Sequence, residues 1–133
     1  MTEETVSQAG VLVLVRDLLF SSRIAETARR LGHPCRVARS VEDFQARLGE
    51  SPGLIMVDLT AQGMDFEAAL AAIDAAGRPA PLLAWTTHTL WKTTRPLHAR
   101  CDRVVTREEL TEKLPELLTG YLERAGRQSS EAG

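Results

Sequence analysis

The chain has 133 residues, about one domain, and its 44% hydrophobic and 26% charged residues are typical of globular chains with a single core. This composition excludes collagen-like, mucin-like and wholly disordered chains, and no apolar run approaches the roughly 20 residues that a membrane helix needs. The 16 basic and 18 acidic residues leave a net charge of −2, which argues against a nucleic-acid partner held by bulk charge. Because the N-terminus has no secretory signal, we expect a cytoplasmic protein with no membrane partner.

The small net charge conceals four blocks of opposite sign. Residues 16–40 carry six basic side chains against two acidic ones, and residues 92–107 carry five against one, so each block has a charge of +4. Residues 41–74 carry −6 and residues 108–125 carry −3. Such blocks are typical either of solvated helix faces or of a surface that meets a charged partner.

Short apolar segments predict five β-strands. They are bounded by Gly, Pro or polar residues, as strands in a sheet covered on both faces usually are. The predicted strands are residues 10–15, 35–39, 54–58, 81–85 and 103–106.

A helix is predicted after each strand, because apolar residues recur there at three- and four-residue spacing. The stretch 88–100 is an ambiguous helix interrupted by Pro96, and Pro115 is predicted to kink or restart the last helix. The predicted N-caps are Ser21 or Ser22, Ser40, Asp65 and, as a capping box with Glu109, Thr106.

The alternation of strands and helices predicts an α/β fold. Such chains form a doubly wound parallel sheet, here of five strands, with helices on both faces. We expect residues 10–125 to form this domain, residues 1–9 to be a flexible lead-in and residues 126–133 to be a flexible tail.

Polar residues follow the predicted strands at their carboxyl ends, where the ligands of open parallel sheets gather. Asp58 ends a buried strand, and a buried carboxylate costs free energy unless it is paired or bound to a metal. Together with Asp17, which follows the first strand, it predicts a Mg²⁺ site, because Mg²⁺ takes oxygen ligands. The alternative is a carboxylate that is satisfied by Arg16 and by backbone N–H groups alone.

Four segments carry a resemblance to a known family. These are VLVLV followed by Arg16 and Asp17, LIMVD ending at Asp58, PLLAWT ending at Thr86, and the terminal RVVT strand. Over residues 10–125 the chain resembles the receiver domain of bacterial two-component response regulators, above all the single-domain, chemotaxis-regulator-like ones. The resemblance implies a flavodoxin-like fold with sheet order 2-1-3-4-5 and a place in a phosphorelay.

The resemblance also implies roles for individual residues. Asp58 stands at the phospho-acceptor position. Asp17, Asp58 and the carbonyl group of Thr60 stand at the positions that hold Mg²⁺ in the family. Thr86 stands at the position of the switch hydroxyl group.

Three departures from the family pattern favour a pseudo-receiver with a partly degenerate site. Arg16 replaces the first acid of the metal-binding pair, Thr106 replaces the lysine of the switch, and Arg103 replaces its aromatic residue. A guanidinium group pairs readily with a carboxylate, so Arg16 is predicted to neutralise Asp58 or Asp17 directly. We therefore expect no cofactor, or weakly bound Mg²⁺ only.

The second basic block contains a candidate partner interface. Trp91 lies beside Lys92 and Arg95, with Arg100 further along, and Trp and Arg are enriched at interface hot spots. The alternative is that Trp91 covers the sheet. The resemblance implies a protein partner, either a sensor kinase or a downstream effector, and a homodimer through the 92–125 face is a further interpretation.

The sequence therefore predicts a stand-alone signalling module that acts through protein–protein contacts. One alternative is a response regulator that accepts a phosphoryl group on Asp58 with Mg²⁺, and a further one is a small-molecule or nucleic-acid sensor. His88, which follows the fourth strand, is a candidate for lining the site. Neither a phosphate-binding glycine loop nor a nucleophile triad is present, so we expect no enzymatic activity.

Overall fold

All five predicted strands form, and each matches its predicted range to within about one residue at either end. The structure, a computed structural model, describes residues 10–132. Its strands lie in the order β2-β1-β3-β4-β5, and every neighbouring pair is parallel, as predicted. The strands are β1 (Val11–Leu14), β2 (Cys35–Ala38), β3 (Leu54–Asp58), β4 (Leu82–Thr86) and β5 (Arg103–Thr106).

A helix follows each strand, and the first four helices return the chain to the start of the next strand. A single turn of 3₁₀-helix, Leu48–Glu50, extends the second helix. The helices are α1 (Leu18–Arg30), α2 (Val41–Arg47), α3 (Phe66–Ala75), α4 (Trp91–His98) and α5 (Arg107–Ala132).

The N-cap of α1 is Asp17, so the predicted caps Ser21 and Ser22 are wrong. The Asp17 carboxylate accepts a hydrogen bond of 3.0 Å from the Phe20 N–H. Aspartate is as good an N-cap as serine, and it comes first in the chain, so the helix begins there. The caps predicted at Ser40, Asp65 and Thr106 are confirmed by their hydrogen bonds to the backbone N–H groups three residues on.

The two prolines inside helices behave differently. Pro96 does not interrupt α4, which continues through it to His98, so the predicted break is wrong. A proline removes only one N–H donor, and so short a helix loses only one internal bond by it. Near Pro115 the backbone of Lys113 leaves the helical region (φ −113°, ψ 16°), which confirms the predicted kink in α5. Beyond the kink α5 runs on to Ala132, across the stretch predicted as a tail.

Alternation along the strands sends side chains into two separate hydrophobic layers. One layer, which contains Val13, Met56 and Trp85, is covered by α1 and α5. The other, which contains Leu14, Val57 and Ala84, is covered by α2 and α3, with Leu97 of α4 at its margin. Because both faces are covered, the polar ends of the strands meet solvent only at the edges of the sheet.

The predicted lead-in, residues 1–9, lies outside the described residues. Within residues 10–132, every helix is too short or too polar to cross a membrane.

Candidate functional site

Asp58 is the last residue of β3 and is almost fully buried, with 2% of its surface exposed. Its Oδ1 accepts hydrogen bonds from the Thr60 N–H (2.8 Å) and from the Thr60 hydroxyl group (2.5 Å). The tight turn after β3 therefore satisfies one carboxylate oxygen without any cation. The structure brings Asp58 and Thr60 together through the hydroxyl and N–H groups of Thr60, and the role of the Thr60 carbonyl group in holding Mg²⁺ stays a prediction.

Asp17 lies at the carboxyl end of β1, the strand next to β3, and both of its oxygens are engaged. Oδ1 caps α1 through the Phe20 N–H, and Oδ2 accepts a hydrogen bond of 2.8 Å from Nη2 of Arg107. The Phe20 N–H and then the Arg107 guanidinium hold the pKa of the Asp17 carboxyl below its ordinary value, although burial opposes the shift. The second acid of the family pattern is therefore an N-cap and half of an ion pair.

Arg16 does not neutralise either aspartate, so the predicted pairing is wrong. Its Nη1 donates to the Gln62 carbonyl (2.7 Å) and its Nε to the Arg39 carbonyl (3.3 Å). Arg39 in turn donates to the Arg16 carbonyl (3.0 Å). Backbone carbonyls of the loops after β2 and β3 therefore hold the guanidinium group.

Arg107 supplies the cation that was expected from Arg16. It is the first residue of α5, which follows β5 without an intervening loop, and its side chain reaches the start of α1 at Asp17. Its guanidinium group also lies over the Phe20 ring, 4.7 Å from the centroid, in a cation–π contact. One sequence signal pointed to Arg107, because the predicted N-cap at Thr106 makes it the first residue of α5.

The donor set fits Mg²⁺ poorly. Mg²⁺ requires near-octahedral oxygen coordination and usually one or two free carboxylates. Both oxygens of Asp17 and one oxygen of Asp58 already accept hydrogen bonds. Among residues 10–132, moreover, no group of three or more His, Cys, Asp or Glu side chains is arranged to hold a metal ion.

Two of the predicted switch residues, Thr86 and Thr106, end β4 and β5, whereas Arg103 begins β5. Thr86 and Thr106 are paired in the parallel register. Thr106 Oγ1 caps α5 through the Glu109 N–H (3.1 Å), and Arg103 forms an ion pair of 3.0 Å with Glu109. The hydroxyl group of the fully buried Thr86 lies 3.2 Å from that of Thr94 on α4.

Thr94 and His98 of α4 are polar residues that the sequence reading did not connect with Thr86. The Thr94 hydroxyl group is 2.8 Å from Nε2 of His98, and His98 lies edge-on to the ring of Trp91 at a centroid distance of 4.7 Å. Their spacing of four residues puts both on one face of α4, which was the available signal. The ambiguous periodicity around Pro96 concealed it.

Only some of the residues of the predicted partner interface are exposed and unpaired within the part of the chain that the structure describes. Lys92 and Arg95 are exposed, and Trp91 is half-buried against His98. Arg100 is bound to α3, with ion pairs of 2.6 Å to Glu67 and 3.6 Å to Asp74. Arg100 therefore offers a partner less unpaired charge than Lys92 and Arg95 do, and its role in an interface stays a prediction.

A cleft of about 710 Å³ lies between the loop after β4 and the first turns of α5. His88 lines it together with Thr87, Thr106 and Arg107. His88 is thus at the edge of the candidate site, as expected.

The fold of residues 10–132 matches solved receiver domains over most of their length. The receiver domain of a putative LuxO repressor protein from Vibrio parahaemolyticus superposes with a TM-score of 0.77 at 16% identity, covering 95% of this chain and 98% of that one. The receiver domain of a sensor histidine kinase from Pseudomonas aeruginosa, solved with a magnesium ion in its active-site cleft, gives 0.71 at 19% identity, covering 87% and 98%.

A longer protein contains the same fold as one of its parts. NtrX from Brucella abortus, in complex with ADP, superposes with a TM-score of 0.76 at 19% identity over 94% of this chain, which spans only 29% of the NtrX chain. No family model matches the sequence, and no curated protein matches it closely enough to count as a relative. The chain has the flavodoxin-like fold of response-regulator receiver domains.

Proposed function

We propose that this protein is a receiver-like signalling module that acts through protein–protein contacts and whose phospho-acceptor site is degenerate. The observation that carries the proposal is the pair formed by Asp17 and Arg107, because it occupies the one remaining acid of the metal-binding pair. The receiver fold supports a signalling role, and the altered site argues against control by phosphorylation.

The chemistry at the carboxyl ends of the strands supports a degenerate phospho-acceptor site. Phosphoryl transfer to a carboxylate needs a cation to neutralise the charge that develops on the transferred group. Here one guanidinium group bonds to Asp17 and another to loop carbonyls, and Asp58 is buried beneath its own turn. Among the residues that the structure describes, no cationic side chain bonds to Asp58, and only 2% of its surface meets solvent.

Small phosphodonors provide the direct test. The wild type is incubated with acetyl phosphate and Mg²⁺ and compared with Asp58→Ala by intact-protein mass. We expect no mass gain that depends on Asp58. An Asp58-dependent gain of one phosphoryl group would instead support the phosphorylatable response regulator, and the degenerate-site proposal would fail.

A restored variant serves as the positive control for this experiment. Arg16→Asp and Thr106→Lys return the acid and the lysine of the family pattern, and Arg107→Pro releases Asp17 from its ion pair. Proline is acceptable at the first position of a helix, whereas loss of the Thr106 cap costs about 1 kcal/mol of stability. We expect Asp58-dependent phosphorylation in this variant, which would show that the assay detects a competent edge on this fold.

The exposed cations of α4 favour an acidic protein partner. Lys92 and Arg95 are solvent-exposed beside the half-buried Trp91, so a partner can bury an aromatic ring within a positive rim. Lys92→Glu with Arg95→Glu should weaken the binding of a purified partner that wild-type protein has captured. Arg23→Glu with Arg29→Glu is the matched control, because both residues are exposed on α1. Equal affinity of both double variants would remove this face from the proposal.

A further inference from the structure

Three polar side chains join the carboxyl end of β4 to the surface of α4. Thr86 is fully buried, and its Oγ1 lies 3.2 Å from the Oγ1 of Thr94. Thr94 is also buried, and its Oγ1 lies 2.8 Å from Nε2 of the half-buried His98. The three groups form a continuous hydrogen-bonded chain from the candidate site to a residue that can exchange protons with solvent.

Thr94 has a single hydroxyl proton and several acceptors for it. Besides His98 and Thr86, the carbonyl oxygens of Leu90 (3.0 Å) and Trp91 (3.3 Å) lie within reach. When Thr94 donates to His98, the bond between the two threonines requires Thr86 to be the donor, because Thr94 has no second proton. The proton of Thr86 is then committed to α4.

When the neutral ring carries its proton on Nδ1, Nε2 is the acceptor of this pair, and protonation of His98 then reverses the roles of donor and acceptor. An imidazolium ring carries a proton on both nitrogens, so Nε2 becomes a donor and Thr94 must accept from it. The proton of Thr94 is released to its other acceptors, which include the oxygen of Thr86. A Thr86 hydroxyl group that accepts from Thr94 has its own proton free for an acceptor at the carboxyl edge of the sheet.

We propose that Thr94 and His98 are positioning residues that set the direction of the Thr86 hydroxyl group. Protonation of His98 on α4 thereby changes which group the Thr86 hydroxyl at the end of β4 donates to. We call the three side chains Thr86, Thr94 and His98 the hydroxyl relay. The inference deepens the proposed function and rests on it only in treating the carboxyl edge as the signalling site. The proposed input is the pH of the solution, which acts on the Thr86 hydroxyl group through the imidazole of His98.

The surroundings of His98 place its titration in the acidic range. Burial and then the positive charge of Arg95, on the same helix, lower the pKa of His98 from its ordinary value of 6.5. The charges on the neighbouring elements are already paired: Glu67 of α3 with Arg100, and Arg103 of β5 with Glu109. His98 is therefore neutral near neutral pH, and the reversal is expected as the pH falls below 6.5.

Nuclear magnetic resonance tests the relay directly. The titration is run in a His88→Gln background, because His88 is a second imidazole only two residues from Thr86. The ring protons of His98 report its protonation, and the amide and methyl groups of Thr86 report the far end of the chain. We expect the Thr86 shifts to move with the same midpoint as His98.

Two substitutions at Thr94 separate the relay from simple packing. Thr94→Ser keeps the hydroxyl group and should keep the matched midpoints. Thr94→Val keeps the shape, so His98 should still titrate while the Thr86 shifts no longer follow it. Thr86 shifts that ignore His98 in the background protein, or that follow it in Thr94→Val, would overturn the proposal.

A third variant decides the matter if Thr94→Val does not fold. His98→Gln removes the proton site, and the pH-dependent shift of Thr86 should vanish with it. Persistence of that shift would contradict the relay. Because no phosphodonor, metal ion or partner enters the experiment, its outcome is independent of the tests of the proposed function.

Discussion

The carboxyl edge of the sheet has two halves with opposite physical character. The charged half consists of Asp17 and Arg107, whose side chains are 42% and 38% exposed and form an ion pair. The neutral half consists of Thr86 and Thr94, which are buried and joined by a hydrogen bond. An exposed ion pair contributes little stability and is screened by salt, whereas a buried hydroxyl group that loses its partner is costly. The neutral half should therefore be the stiffer of the two.

The largest effect is expected from Thr94→Val. The substitution leaves the buried Thr86 hydroxyl group without its partner on α4, which costs about 1–3 kcal/mol of the free energy of unfolding. Urea denaturation should show a lower midpoint at an unchanged slope, while Thr94→Ser stays near the wild type.

A double-mutant cycle sharpens this prediction. Thr86→Val added to Thr94→Val removes both hydroxyl groups, so the combined loss should be smaller than the sum of the single losses. Strict additivity would show that the two hydroxyl groups do not interact, and the description of the neutral half would be wrong.

A smaller effect is expected from Arg107→Ala in the charged half. Loss of a partly exposed ion pair and of the cation–π contact with Phe20 should cost about 1 kcal/mol. Arg124→Ala is the matched control, since Arg124 lies over the Tyr121 ring at 5.7 Å. The difference in unfolding free energy between the two variants should shrink in high salt, because only the ion pair is screened. A loss as large as that of Thr94→Val would abolish the contrast between the halves.

The smallest effects are expected in the pH dependence of stability. Asp17 in the charged half and His98, which is bonded to the neutral half, should change the free energy of unfolding over different pH ranges. The lowered pKa of Asp17 means that its stabilising contribution is present above the unfolded value of 3.8 and is lost as the pH falls through the folded pKa. The lowered pKa of His98 means that the unfolded chain binds the proton more readily, so stability declines as the pH falls below 6.5.

Two variants assign these windows. Asp17→Asn should flatten the stability profile below pH 3.8 only, and His98→Gln should flatten it just below pH 6.5 only. Thermal unfolding across pH measures both effects. If either variant changed the profile in the other window, the two halves would be coupled through the sheet.

The fold could be predicted from sequence because it depends on local signals. Apolar runs such as 54–58 and caps such as Ser40 and Asp65 each specify one element, and strand–helix alternation specifies the parallel sheet. The resemblance to receiver domains rests on the same strand ends and is confirmed at the level of fold.

The hydrogen bonds and ion pairs of the candidate site could not be predicted, because they join residues that are distant in sequence. Arg16 and Arg107 are both guanidinium groups near the edge, and only the loop geometry shows that Arg107 reaches Asp17 while Arg16 bonds to backbone carbonyls. Asp17 was read as a metal ligand, and its capping of α1 competes with that role. The contacts of Thr94 with Thr86 and His98 could not be predicted, because Pro96 made the helical periodicity of α4 ambiguous.

The central claim is that Asp17 and Asp58 have too few free carboxylate oxygens to hold a divalent cation. Titration with Mg²⁺, followed through backbone amide shifts, tests it most directly. The account predicts that Asp17, Asp58 and Thr60 show no saturable shift in the wild type at millimolar Mg²⁺, whereas the variant Arg16→Asp with Arg107→Ala does. A saturable shift of these three residues in the wild type would contradict the account, because it would show that the cation displaces Arg107 and that the site is competent.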